Sequence, residues 1–205
     1  MSEAAWQRAT NARELLLLLD PDSSSRKLRR FVLACVAHLY PSKPVSGDAD
    51  ILAFAEQLAD EANIDPDEWV AVFDQLQDRN QLNAEPPDPT AWLLSLAVGD
   101  NASDETHWAL VSMKDRNIDE AVPMGLLREV FGNPFRLVDF APWRTDTAVS
   151  LARRMYDSRD FGAMPILADA LQDAGCDNDD VLNHCRDGGP HVRGCWVVDG
   201  VLGLE

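Results

Sequence analysis

Ser25-Arg26-Lys27-Leu28-Arg29-Arg30-Phe31-Val32-Leu33-Ala34-Cys35-Val36-Ala37-His38-Leu39-Tyr40 is the stretch whose reading decides the fold class. Its residues Leu28, Phe31, Val32, Cys35 and Leu39 fall at i, i+3, i+4, i+7 and i+11. That spacing gathers them into one apolar stripe on a helix from about Ser25 to Tyr40. Pro41-Ser42-Lys43-Pro44 predicts its end, because a residue before proline is pushed out of the helical region.

The same period continues on the C-terminal side. Ile51, Leu52, Ala55, Leu58, Ala59 and Ala62 form the next stripe, and Asp65-Pro66-Asp67-Glu68 supplies an N-cap, a first-turn proline and acids for the positive helix end. Trp69, Val72, Phe73 and Leu76 follow on one face. After the Ala84-Glu85-Pro86-Pro87 break, Asp88-Pro89 opens a helix through Trp92, Leu93 and Leu96, and Ser103-Asp104-Glu105 opens another through Trp108 and Val111. Pro123 precedes a helix that Gly132 ends, and the longest irregular stretch then runs to about Trp143. Thr145-Asp146, Pro165 and Asp179 start three further helices. Val192 to Leu202 contains a β-favouring Cys-Trp-Val-Val with no partner strand, so it too is read as helix. The expectation is an all-α protein of nine or ten short helices, with an N-terminal part over 1–120 and a C-terminal part over 121–205.

Charge narrows the function classes. Eighteen basic side chains oppose 35 acidic ones, a formal net of −17 across 205 residues. Nearly all of the excess lies in residues 45–120, where 3 basic groups face 18 acidic ones. Such a surface repels phosphate backbones and anionic lipid, so neither nucleic acid nor membrane is expected as a partner. There is no phosphate loop, dinucleotide fingerprint, HExxH or nucleophile elbow, hence no sign of an organic cofactor. The one early apolar run, Leu15 to Leu19, is too short for an export signal or a span, and four sparse cysteines suit a reducing cytoplasm.

Three features carry candidate chemistry. Cys176, His184, Cys185, His191 and Cys195 place five soft or borderline ligands within 20 residues, and thiolate with imidazole suits zinc. They contain no Cys-x-x-Cys knuckle, and adjacent His184 and Cys185 point about 100° apart on a helix, so only one of that pair is expected to join a site. The same atoms admit a nucleophile reading, with Cys195 or Cys185 attacking, His191 as base and Asp199 or Asp177 orienting it. Against both stands plain packing, in which the cysteines are small core hydrophobes. Second, Ser25, Arg26, Lys27, Arg29 and Arg30 crowd cations at a helix N-terminus, where an anion or an internal carboxylate is needed to offset them. Third, the acidic helix start Asp65, Asp67 and Glu68, together with Trp143 in the long loop, forms a candidate surface for a basic protein partner.

Four blocks resemble a family of bacterial proteins abundant in planctomycetes: Glu3-Ala4-Ala5-Trp6, Ser25 to Phe31, Leu127-Arg128-Glu129-Val130-Phe131-Gly132-Asn133-Pro134-Phe135-Arg136, and the run from Gly175-Cys176-Asp177-Asn178 through His184-Cys185-Arg186 to His191-Val192-Arg193-Gly194-Cys195-Trp196-Val197-Val198-Asp199. The resemblance spans roughly the first 40 and last 85 residues. It implies a bacterial, intracellular, helical protein and brings no activity with it. That family often has a cysteine-rich run after the first basic helix start, where this chain keeps only Cys35. Taken together, the sequence is read as a non-enzymatic interaction module of adaptor, inhibitor or immunity type. The alternative is a zinc-stabilised or thiol-dependent enzyme built on the C-terminal ligands.

Overall fold

A computed structural model describes residues 1–20, 24–39, 48–60, 64–81, 89–99 and 101–204. The Pro41 to Pro44 stop, the Ala84 to Pro87 break, Glu61, Ala62 and Asp88 lie outside the described residues. Among the described residues every regular element is a helix. They are α1 (Glu3–Arg8), α2 (Ala12–Leu16), α3 (Ser25–Leu39), α4 (Asp48–Asp60), α5 (Pro66–Gln81), α6 (Pro89–Val98), α7 (Ala102–Asp115), α8 (Ala121–Phe131), α9 (Asp146–Ser158), α10 (Met164–Asp173), α11 (Asp179–Arg186) and α12 (Trp196–Leu202), with a 3₁₀ turn at Ala141–Trp143. The all-α reading holds. The two helices beyond the expected ten are short: α1 and α2, of 6 and 5 residues, have too few turns to print a period.

Local chemistry explains several boundaries. Asn101 caps α7 by accepting the Ser103 and Asp104 amides, Thr145 caps α9 by accepting the Ala148 amide, and Asn178 caps α11 by accepting the Asp180 and Val181 amides. Sequence reading started α7 at Ser103, Asp104 and Glu105; the asparagine ahead of them does the capping, and the acids lie in the first turn.

The chain forms two compact units, Ala9–Leu126 and Met1–Arg8 with Leu127–Glu205. The division therefore falls inside α8, and the first eight residues group with the C-terminal segment. There Trp6 is buried, the Arg128 guanidinium donates to the Trp6 carbonyl at 3.3 Å, and Asn133 donates to the Glu3 carboxylate at 3.0 Å.

In the unit Ala9–Leu126, α3 packs against α4, α6 and α7. Of the stripe read from sequence, Val32 enters a core shared with Leu33, Val36, Ile51, Phe54, Leu76, Leu94 and Ala109, Leu39 packs against it, and Leu28, Phe31 and Cys35 are buried as well. In the other unit α9, α10, α11 and α12 enclose Ala152, Met155, Leu167, Leu171, Val181, Val197 and Val198. Two glycines fix how its elements meet. Gly132 ends α8 at φ +62°, and a Cβ there would come within 2.9 Å of the Trp196 ring. Gly200, inside α12, lies against the Phe140 ring with no room for a Cβ.

The basic start of α3 is answered within its own unit. Arg30 is 1% exposed, its guanidinium 2.9 Å from the Glu56 carboxylate and forked onto Asp60. Arg26 reaches Asp60 at 3.3 Å, and Arg29 donates to the Gly99 carbonyl at 2.6 Å. An internal carboxylate, one of the two offsets the sequence left open for these cations, is present. Acids of α4 lie beside the first two turns of α3.

Candidate metal centre

Glu129 lies in the last turns of α8, on the same side as buried Leu126 one turn before it. It is 7% exposed, so the fold brings a carboxylate into the interior. His184 projects from the last turn of α11, His191 from the turn after Gly188-Gly189-Pro190, and Cys195 occupies the N-cap position of α12. The ligand atoms of Glu129, His184, His191 and Cys195 all lie within 4.8 Å of one another. Three of the sequence candidates therefore meet, and a fourth group joins them from 55 residues upstream of His184.

The geometry within the group is specific. His184 Nε2 is 3.2 Å from Cys195 Sγ and 3.3 Å from a Glu129 oxygen. His191 Nδ1 is 3.2 Å from the other Glu129 oxygen, which also accepts the Val192 amide at 3.3 Å. The opposite nitrogen of His191, Nε2, donates to the Asp187 carbonyl at 3.2 Å. That bond sets the tautomer and turns the Nδ1 lone pair toward the carboxylate. Two lone-pair bearers then face each other and need a proton or a cation between them. For zinc with bonds of about 2.0–2.3 Å, the edges of the ligand tetrahedron are about 3.3–3.7 Å. The closest pairs already sit at the short end of that range, and the widest has only to draw in.

This arrangement differs from a catalytic triad. In a triad the nucleophile and the orienting acid use opposite nitrogens of one imidazole. Here the thiol and the carboxylate converge on the same atom, His184 Nε2. The imidazole beside Cys195 is His184 and the carboxylate beside His191 is Glu129, so the expected line of Cys195, His191 and Asp199 is not formed; Asp199 is buried one turn further along α12. Burial, aided by the Glu129 charge, also raises the Cys195 thiol well above its ordinary range, which without a cation opposes a free thiolate.

The imidazoles are tuned apart. Burial pushes His184 down, with Glu129 pulling the other way. Burial opposes protonation of His191 too, but the hydrogen bond and charge of Glu129, with Asp187 behind it, outweigh it and raise that group. His184 also packs against His191 and Trp196, ring centroids 5.0 and 5.2 Å away, so the side carrying Trp196 shields the cluster.

Cys176 and Cys185 do not join. Both are core residues, 3% and 0% exposed, and burial pushes the Cys185 thiol up to about 12. The 100° separation of neighbouring helix residues sends His184 to the cluster and Cys185 into the apolar interior. All four cysteines carry free thiols.

No family model, curated protein or solved structure matches this chain. The site therefore stands on its own geometry. Sequence reading missed Glu129 because it belongs to a different segment from the other ligands. Its signal was a carboxylate between apolar Leu126, Leu127 and Val130 on one helix stripe.

The other sequence candidates are placed as follows. Asp65, Asp67 and Glu68 are exposed at the start of α5, with Asp65 accepting the Asp67 amide at 3.0 Å. Trp143 is not a free anchor: it is half-buried, edge-on to Phe140 with centroids 6.0 Å apart, and packs on the C-terminal core. The 3₁₀ turn at Ala141–Trp143 folds it inward where sequence reading left an open loop.

Proposed function

We propose that this chain is a zinc-stabilised helical protein whose C-terminal unit closes around one ion held by Glu129, His184, His191 and Cys195. The observation that supports it is the convergence of four ligand atoms of the right chemistry, from three separate segments, on one partly buried point. A thiolate, two imidazoles and a carboxylate carry two negative charges in all, which a divalent cation neutralises. Four protein ligands complete a tetrahedron and leave no position for substrate, so the role is structural. Such an ion ties α8, α11 and the start of α12 together, and free thiols in the same chain suit the cytoplasm. X-ray absorption of zinc-loaded protein tests this. One sulfur at about 2.3 Å with three nitrogen or oxygen neighbours at about 2.0–2.1 Å is expected. A shell with no sulfur contradicts the site.

A second reading, a docking surface for a basic protein, is favoured by a particular face of the other unit. Trp92 and Trp108 are 41% and 48% exposed. The Trp92 indole donates to Ser112 at 3.1 Å, and Trp108 precedes Ser112 by one helical turn, so both rings share a face of α7 with Asp104 and Asp115. Aromatic rings flanked by acids suit lysine and arginine side chains. Reversing Asp104 and Asp115 to Lys should release a bound basic protein that wild type releases only at high salt; capture unaltered by both salt and the reversal contradicts this reading.

A further inference from the structure

The unit Ala9–Leu126 carries 21 acidic against 9 basic side chains. Cations are scarce there, and nearly all of those described are engaged inside the unit. Arg26 and Arg30 reach carboxylates, Arg29 reaches a carbonyl, and Arg116 donates to the Ser112 carbonyl. Among the described residues, Arg13 and Lys114 differ: neither side chain forms a hydrogen bond or an ion pair. Both line the same groove, which lies along α2, α7 and the first turn of α8 and encloses about 380 Å³. Leu110, Val111 and Ile118 give that groove an apolar lining, and His107 adds an imidazole to its wall. Its one carboxylate, Glu120, already accepts the Ala12 amide at 3.2 Å.

A volume of this size matches small-molecule sites, in which an apolar lining supplies affinity and a few polar groups supply orientation. Two free cations beside an apolar lining complement one ligand chemistry, an anionic head on a hydrocarbon body. The unit's net negative charge does not forbid it, because at physiological salt the field of distant carboxylates is screened within about 8 Å. What the head meets is local. We propose that this groove binds an amphipathic carboxylate, a medium-chain acyl or aryl acid, with its carboxylate between Arg13 and Lys114 and its body on Leu110, Val111 and Ile118. The bidentate fork of Arg13 fits a carboxylate in plane, and Lys114 adds a point charge.

The test is calorimetric titration of the full chain with octanoate, and with octanol as its neutral counterpart. Octanoate should bind at one site and at least about ten-fold more tightly than octanol. Changing Arg13→Gln together with Lys114→Gln should erase that ten-fold preference and leave octanol binding alone; both side chains are exposed, so the fold, checked by circular dichroism, should be kept. Val111→Trp should fill the groove and abolish both. Equal affinity for the two ligands, octanoate binding that survives the double change, or no saturable binding at all would each overturn the proposal. None of these outcomes depends on the zinc site, so the two readings fail separately.

Discussion

Arg30 shows what a single residue commits the fold to. Its charge is 1% exposed and is held by Glu56 and Asp60 together, a network in which each member is satisfied by the others. Arg30→Ala leaves two acids facing a vacated interior and should cost about 3–5 kcal/mol. Urea unfolding of the variant measures it, and a loss below about 1 kcal/mol would show the network to be solvent-relaxed. Sequence reading could see that cations at the start of α3 required a nearby anion, because a helix dipole makes the requirement local. Which anion was not legible, since Glu56 and Asp60 meet Arg30 only through tertiary packing. Glu129 was missed for the same reason.

At the metal centre the residue scale sets a pH dependence. Zinc needs His191 neutral at Nδ1 and Cys195 ionised, and in the metal-free protein both groups hold their protons more tightly than usual. Binding must therefore release protons, and affinity should fall as pH drops from about 8 to about 5.5, steepening through the raised His191 value. His184 is shifted the opposite way, so it is already neutral over the upper part of that range and adds little there. Competition against a chromophoric chelator at several pH values checks the sign; a flat profile would mean that neither group is a ligand.

Among elements, the close approaches of Gly132 to Trp196 and of Gly200 to Phe140 in the C-terminal unit each rest on a glycine. Gly132→Ala must adopt a left-handed backbone and also press a methyl group onto Trp196, whose ring packs on His184. The expected loss is about 1–3 kcal/mol of stability, together with weaker metal binding, because Trp196 helps hold the ligand. Gly200→Ala meets the Phe140 ring and should destabilise by a similar amount with less effect on the metal. Thermal unfolding and zinc titration of both variants separate the two effects. Long elements were readable, because start signals such as Thr145-Asp146 and stripes such as that over α3 repeat one signal several times. Short ones were not: α1 and α2 have too few residues to show a period, and the 3₁₀ turn that folds Trp143 inward is set by its packing on Phe140.

For the whole molecule, charge and the candidate metal ligands divide between the two units. The unit Ala9–Leu126 holds most of the net −17, while the four converging ligands belong to the other. Chelation should then lower the unfolding temperature of the C-terminal unit alone. Zinc at about a thousand times its dissociation constant contributes about 4 kcal/mol to the state that binds it. Calorimetry with and without chelator should show one transition move and the other stay; a uniform shift of both would contradict a site confined to one unit. Charge asymmetry was visible in the sequence as counts, but the grouping of Met1–Arg8 with residues after 126 was not, because it depends on Trp6, Glu3 and their distant partners.

The most direct test is the metal content of the protein, purified without chelator, set beside that of Glu129→Ala. Glu129 is the decisive choice because it is the ligand contributed from outside the C-terminal Cys/His segment. Mass spectrometric metal analysis should give one zinc per wild-type chain and a fraction of that in the variant. Wild-type protein without stoichiometric zinc, or a Glu129→Ala chain that keeps it in full, would contradict the account.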